Sequence, residues 1–412
     1  MSSGRKRFCG RARRLSKYRP YGGWWHPRSC IVVREKLAEN IRRAGIVGGG
    51  IGGLTAAIAL RAAGWEVTVY EQATEFAEVE AGVMLTSNVL AALDLIGVGE
   101  PIRAQAMADH IGGIRSRRGR ELVCGQVRDV IGGDDLVVVH RADLLAVLVD
   151  ALPSECLRPG SRVVRVDASG DIETAEGTIQ FDLVVAADGM HSLTRCQVWP
   201  EVGAVRHTGI TGWRWIVDAP PPEWVGLVLG HRAEFGILPM AGNRIYAFAG
   251  THSGVEGLDH FKDWPEPVPA MVAAAAPQRV LKNELLDIRV PKSLARGRVA
   301  LIGDAAHGMH PTLGQGAGMT IEDAVTLAAY APDLAAYSKA RRRRVALISW
   351  LSGCATLVTE PTSRFVAAAR DATAALVPNR LAIRAGKLGT KLLITRWRPP
   401  TIATKSRPPH PG

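Results

Sequence analysis

Arg43-Ala44-Gly45-Ile46-Val47-Gly48-Gly49-Gly50-Ile51-Gly52-Gly53-Leu54 is the stretch on which the fold turns. Ala44 to Val47 reads as a short buried strand that runs straight into glycines spaced Gly48-x-Gly50-x-x-Gly53. Leu54, Ala57, Ile58 and Ala62 then recur at helical spacing, and Gly64 follows as the residue that ends the helix. Glu66-Val67-Thr68-Val69-Tyr70 is a second strand, which makes a βαβ unit whose parallel strands need a right-handed crossover. Gly48 permits the tight turn, Gly50 lets backbone approach a pyrophosphate, and Gly53 lets the helix pack on the strand. The helix N-terminus offers free N–H groups and the positive end of its dipole to phosphates. Glu71, 21 residues after Gly50, can accept hydrogen bonds from a ribose diol and disfavours a 2′-phosphate. The expected dinucleotide is FAD or NAD.

Working outward, Leu183 to Ala187 and Val299 to Ile302 have the apolar character of further strands of the same sheet. Between them, residues 199 to 290 are rich in Pro and Trp and alternate in short stretches, at Trp213 to Val217, Glu234 to Leu238 and Arg244 to Phe248. That pattern predicts an antiparallel sheet inserted into the first domain. After Gly316 the pattern is helical, with Ile321, Ala324, Val325 and Ala328 on one face and Glu322 and Asp323 suited to the early turns. The run Arg341 to Arg344 reads as a solvated helical face pairing with acidic neighbours.

The expected fold class is α/β: a Rossmann-type dinucleotide-binding domain with an inserted, mainly antiparallel β substrate domain and C-terminal helices. The dinucleotide-binding domain is expected to be discontinuous, over residues 42–105, 135–195 and 291–330, with the substrate domain at 106–134 and 196–290. C-terminal helices are expected over 331–395, a Pro-rich loose tail over 396–412 and a disordered basic extension over 1–41.

The chain has 412 residues, 47% apolar and 22% charged, an ordinary globular composition with length for about two domains. A disordered chain, a collagen and a small disulfide scaffold are excluded. The longest apolar runs are strand length, so no integral membrane segment is expected. The formal charge of +12 is concentrated at one end: residues 1 to 44 hold 13 Lys+Arg and two acids, leaving the rest near neutral. No specific nucleic-acid partner follows from it. The six cysteines are scattered without a C-x-x-C pair, so neither a zinc site nor a disulfide framework is expected, and reduced thiols in a cytoplasmic protein are. Arg13-Arg14 lacks a following apolar segment of the kind an export signal requires.

Two further stretches separate FAD from NAD. Gly303-Asp304-Ala305-Ala306-His307, then Pro311, then Gly314-Gln315-Gly316 opening a helix, resembles the flavin-binding motif of the FAD-dependent aromatic hydroxylases, the single-component class A flavoprotein monooxygenases. Asp188-Gly189-x-x-Ser192-x-x-Arg195 resembles that family's D-G-x-x-S-x-x-R stretch at every fixed position. The resemblance covers residues 42 to 330 in the family's order. It implies that Asp304 bonds the ribityl chain and that Gly314 to Gly316 backs the pyrimidine end of the flavin. It implies that Asp188, Gly189 and Arg195 serve the FAD pyrophosphate and NAD(P)H docking, that Arg141 contacts the cofactor at a helix start, and that Glu80-Ala81-Gly82-Val83 passes the ribityl chain.

The activity implied by the resemblance is hydroxylation of an aromatic or other electron-rich small molecule, with NADH or NADPH and O₂ as co-substrates, through a flavin hydroperoxide. No protein nucleophile and no metal is required. Pro311, with its fixed φ, is expected to hold the loop against the flavin ring. Arg214, in Gly212-Trp213-Arg214-Trp215-Ile216-Val217, lies on the face opposite the two tryptophans and can reach an anionic substrate. His307 and His310 are read as satisfying the turn by hydrogen bonds. The Trp-x-Trp stretch is similar to one in flavin-dependent halogenases but lacks the closing Pro. A same-fold reductase or epoxidase acting on a lipid or polyprenyl substrate remains the alternative, and monomer and homodimer both stay open. For the N-terminal extension, a disordered arm, an organelle presequence and a misplaced translation start stay open.

Overall fold

Strands Arg43–Val47 and Glu66–Tyr70 lie parallel, with Ile46 opposite Val69, and the helix Ile51–Ala62 crosses between them. The computed structural model describes residues 41–76, 81–106, 110–132, 136–255 and 257–403. The expectations for the basic extension up to Asn40, for Glu80 and for the tail beyond Ala403 fall outside the described residues.

The sheet begun by these two strands has six, in the order Ala295–Arg296, Val299–Leu301, Leu183–Ala186, Arg43–Val47, Glu66–Tyr70, Leu157–Arg158. All neighbours are parallel except the first pair. Ile46, Val184, Val185, Ala300 and Leu301 are fully buried, as near-continuous apolar strands covered on both faces must be. The helices Ile51–Ala62 and Gly316–Tyr330 pack on this sheet and on each other; a Cβ on Gly52 or on Gly303 would collide with Thr320.

A second sheet has seven strands, in the order Leu281–Asp287, Arg206–Asp218, Arg244–His252, Ala233–Met240, Val225–Leu229, Ile111–Ser116, Glu121–Gln126. It is antiparallel apart from the pairing of Val225–Leu229 with Ile111–Ser116. Its two faces bury different things. Trp215, Phe235, Phe261 and Trp264 make an aromatic core on one. Ile216, Leu238, Met240, Tyr246 and Phe248 form a smaller cluster with Val138 on the other. Strand alternation puts Trp213 and Trp215 on the first face and Arg214 on the second.

The short pair Gly82–Leu85 and Val137–His140 joins the two sheets: a Cβ on Gly82 would strike the Tyr246 ring, and one on Gly314 would strike Met84. Three helices follow, Leu334–Thr359, Arg364–Leu376 and Asn379–Leu393, and the described part of the expected loose tail is instead packed, with Ile402 buried in the core and the Trp397 ring against Arg341. The arginine run corrects its sequence reading. Arg341 is fully buried rather than solvated, because it lies in register with Tyr337, Val345, Ile348 and Ser352 on the inward face of the long helix.

Candidate active site

Gly48 has φ +104°, and a Cβ there would lie 2.4 Å from the Ala187 carbonyl oxygen. A Cβ on Gly53 would sit 1.9 Å from the Gly48 oxygen, so helix and strand approach as closely as glycine alone allows. Glu71 fixes the loop from the side: its carboxylate accepts the Gly49 N–H at 2.7 Å and the Ala73 N–H at 2.8 Å. Phe76 covers Gly49, a contact that nothing in the sequence pattern announced.

Asp304 is exposed within a run, Val299 to Met309, that is otherwise buried. A carboxylate kept at the surface among buried neighbours faces whatever fills the space beside it. Gly314, at φ +62°, turns the chain after the short Pro311–Leu313 helix, and Gly316, with open space where a Cβ would stand, starts the helix Gly316–Tyr330. Gly189 is similarly open. Gln315 is buried with its Oε1 unpartnered. Open glycines at a helix N-terminus, an exposed Asp and an orphaned buried amide oxygen fit a polar, phosphate-bearing cofactor lying across the C-terminal ends of the central parallel strands.

Asp188 and Arg195 both make hydrogen bonds within the protein around the turn that follows Leu183–Ala186. Asp188 accepts the Ser192 hydroxyl at 2.5 Å and the Thr194 N–H at 2.9 Å, capping the helix Leu193–Val198. Arg195 is 1% exposed and donates to the carbonyls of Ala305, at 3.1 Å, and Met190, at 2.6 Å. It ties the Asp188 turn to the segment that carries Asp304. Burial lowers its pKa, and the nearby Cys196, Asp188 and Asp304 offset only part of that desolvation.

Behind the Gly303 turn lies a charge cluster that pattern reading missed. Asp323 accepts the Gly303 N–H at 3.1 Å, His307 Nε2 at 2.5 Å and Arg341 Nε at 2.6 Å. Glu322 accepts from Arg341 and Arg344, and from Asn88 Nδ2 at 2.6 Å. Burial pushes the Asp323 carboxyl up, but His307 and Arg341 outweigh it and hold the group below the usual range. His307 thus satisfies a turn, as expected, though through a buried acid. Glu322 and Asp323 act through these pairs and not through the helix dipole. The signal was present: two adjacent acids inside an apolar helix, and an arginine on the apolar period of the next.

On the seven-stranded sheet, Arg214 shares its face with Ile216 and Tyr246. Arg214 donates through Nη2 to Asn283 Oδ1, while its buried Nε has no hydrogen-bond partner. The Tyr246 hydroxyl is pushed up to about 12 by burial, with Arg214 and Arg141 pulling the other way. Arg141 starts the helix Arg141–Asp150, and its N–H donates to Ala81 O at 2.8 Å, which sets Ala81 and Gly82 beside Tyr246. Gly82 and Met84 lie two residues apart on one strand, about 7 Å. Tyr246 and the Gly314 turn therefore meet the same face of that strand. Pro311 is exposed, and its loop is tied to the long helix by Thr312 and Thr356 at 2.8 Å. His310 lies beside Thr356, its pKa lowered by burial.

A family model described as "FAD binding domain" matches residues 43–347. The aurachin C monooxygenase/isomerase of Stigmatella aurantiaca is 32% identical over 303 residues, covering 69% of this chain and 79% of that protein. The 2-heptyl-3-hydroxy-4(1H)-quinolone synthase of Pseudomonas aeruginosa is 31% identical over 373 residues, covering 81% and 94%. Among solved structures, Klebsiella pneumoniae HpxO complexed with FAD and uric acid superposes with a TM-score of 0.74 at 27% identity, over 84% of this chain and 95% of that one. With a family model matching residues 43–347 and relatives more than 30% identical over most of their length, the chain belongs to the FAD-dependent aromatic hydroxylase family and is an FAD-dependent monooxygenase.

Proposed function

We propose that this enzyme uses NAD(P)H and O₂ to hydroxylate an aromatic or other electron-rich small molecule, bound between the Gly314 turn and the sheet face that carries Arg214 and Tyr246. The observation that carries the reading is the unpartnered, buried Nε of Arg214 beside the neutral Tyr246 hydroxyl. An orphaned guanidinium N–H is costly unless a ligand oxygen accepts it. A ring hydroxyl, enolate or carbonyl oxygen is such an acceptor, and the relatives named for quinolone and urate chemistry favour a nitrogen heteroaromatic with a ring carbonyl.

FAD, when bound, supplies the redox chemistry and oxygen activation. In this reading Gly48, Gly50, Gly53 and Glu71 hold its adenosine and pyrophosphate end, Gly303, Asp304 and Ala81 its ribityl chain, and Gly314 and Gly316 its ring. Asp188, Gly189 and Arg195 shape the wall, Arg195 by positioning rather than by touching. Arg214 orients the substrate and stabilises negative charge developing on its oxygen. Tyr246 stays a phenol at neutral pH and donates a hydrogen bond. Pro311 holds its loop over the cleft and keeps water out. The parallel sheet is thus the FAD-binding domain and the seven-stranded sheet the substrate domain.

The test is single-turnover mixing with NADH or NADPH over a panel of phenols, quinolones and purines under ¹⁸O₂. Label in a hydroxylated product is expected. Flavin reduction without label in any product would favour the reductase alternative.

A further inference from the structure

Of the 19 exposed large apolar side chains among the described residues, 12 fall between Leu347 and Leu393, all but Val377 on the last three helices. They are ordered by helical period. Phe365 and Leu376 are 88% and 82% exposed and, with the exposed Ala369 and Ala372, form a stripe at i, i+4, i+7 and i+11 that bears no charge. The opposite face of the same helix is docked: Ala367 is buried, and Arg370 donates to the carbonyls of Val358 and Thr359 at 3.0 Å. On the long helix, Trp350 and Leu357 are 64% and 71% exposed, one heptad apart.

The last helix shows what such faces fit. Its inner side is anchored: Asn379 Oδ1 accepts the Cys124 N–H, Ile383 meets Gly125, and Arg344 holds the Leu393 and Ile394 carbonyls. Its outer side carries Leu381, Leu388 and Leu392, each more than half exposed. Arg380, Arg384, Lys387 and Lys391, all exposed, repeat at the same spacing one position earlier and so run as a stripe alongside the leucines. Lys387 also pairs with Asp129 at 2.6 Å. Residues 372 to 412 contain eight Lys+Arg and no Asp or Glu.

We propose that these three helices are a docking surface for an anionic lipid bilayer, with the apolar stripes entering the headgroup region and the cationic stripe contacting acidic lipids. A large apolar face beside a continuous basic one, on a helix held rigidly by its third side, is the arrangement of an interfacial helix. No helix among the described residues is long and apolar enough to cross a membrane, so the attachment is to one leaflet. A second copy of the chain is the poorer occupant, because a two-fold contact through this face sets the Arg380 to Lys391 stripe near its own like charges.

The experiment is co-sedimentation of the full-length flavoprotein with vesicles of phosphatidylcholine, alone or mixed with phosphatidylglycerol. The wild type should pellet with the anionic vesicles and be released by high salt. Leu381→Ser/Leu388→Ser/Leu392→Ser and, separately, Arg380→Glu/Arg384→Glu/Lys391→Glu should each lower the partition coefficient at least about tenfold while flavin absorbance is retained. Equal binding to neutral and anionic vesicles, or wild-type binding by the leucine variant, would overturn the proposal; the second result would assign attachment to the basic extension. A dimer in light scattering that the leucine variant converts to monomer would also overturn it and name a second copy as the occupant.

Discussion

The backbone N–H of Gly303 donates to the buried carboxylate of Asp323 at 3.1 Å, 20 residues along the chain. The turn that presents Asp304 is thus held by a charge, which His307 and Arg341 keep ionised. Asp323→Asn preserves the shape but leaves Arg341 with one acid fewer in a site of zero exposure. The expected cost is about 3 kcal/mol of stability, read by chemical denaturation, with weakened FAD retention. An unchanged unfolding midpoint would show the cluster to be energetically idle.

Asp304 is exposed at the first residue of the four-residue helix Asp304–His307. Asp304→Ala should leave the fold intact and weaken FAD binding by about ten- to a hundredfold, the worth of a hydrogen bond to a charged group. Fluorescence titration of the apoprotein measures it. Flavin affinity equal to wild type would remove Asp304 from the ribityl site.

Arg214 meets Asn283 across the strands and, in the proposed function, stands against the substrate. Arg214→Gln should raise KM by about ten- to a hundredfold while flavin content and reduction by dithionite stay unchanged. Arg214→Lys should recover little, since an ammonium does not reproduce the geometry of the guanidinium N–H. A variant that loses flavin instead would place Arg214 on the cofactor.

Glu234 and Glu360 are buried together, next to His252, and carry the strongest pH dependence. Desolvation pushes Glu234 up to about 7; desolvation and the neighbouring Glu234 charge push Glu360 up to about 9. Between the unfolded value of about 4.5 and these folded values the native state holds protons that the unfolded chain has released. Their contribution is therefore complete below pH 4.5 and falls as pH rises through 9. Glu360→Gln should flatten this decline and raise the melting temperature at pH 8 above that of wild type. A wild-type melting temperature independent of pH from 5 to 9 would contradict the pairing.

Pro311 is exposed and opens a single helical turn tied to the long helix through Thr312, next to His310, which also meets Thr356. Pro311→Gly frees the loop at a cost of about 0.4–1 kcal/mol without touching Asp304. FAD affinity should stay within about twofold, while more of the oxygen consumed should appear as hydrogen peroxide in place of hydroxylated product. Unchanged coupling would show that the loop does not exclude water.

What the sequence determined by itself is the local part. A strand, a glycine turn and a helix in succession depend on backbone sterics and short-range hydrogen bonds, so Gly48 to Gly53, Glu71, the Asp188 turn and the Gly303 to Gly316 segment could all be read in place. The alternation of Trp213, Arg214 and Trp215 likewise assigns them to opposite faces of a strand, whatever sheet it joins. Only the tertiary structure decided what meets across distance. Asn88 reaches Glu322 across 234 residues, and Arg195 proves to be an internal tie because Ala305 and Met190 turn their carbonyls to it. Glu234 finds Glu360 only once strand and helix end are packed together. A charged residue looks solvated in a linear pattern because the desolvation cost of burying it is offset by partners that carry no local period. For the same reason the arginine run read as surface, whereas Arg341 is buried and paired with Glu322 and Asp323.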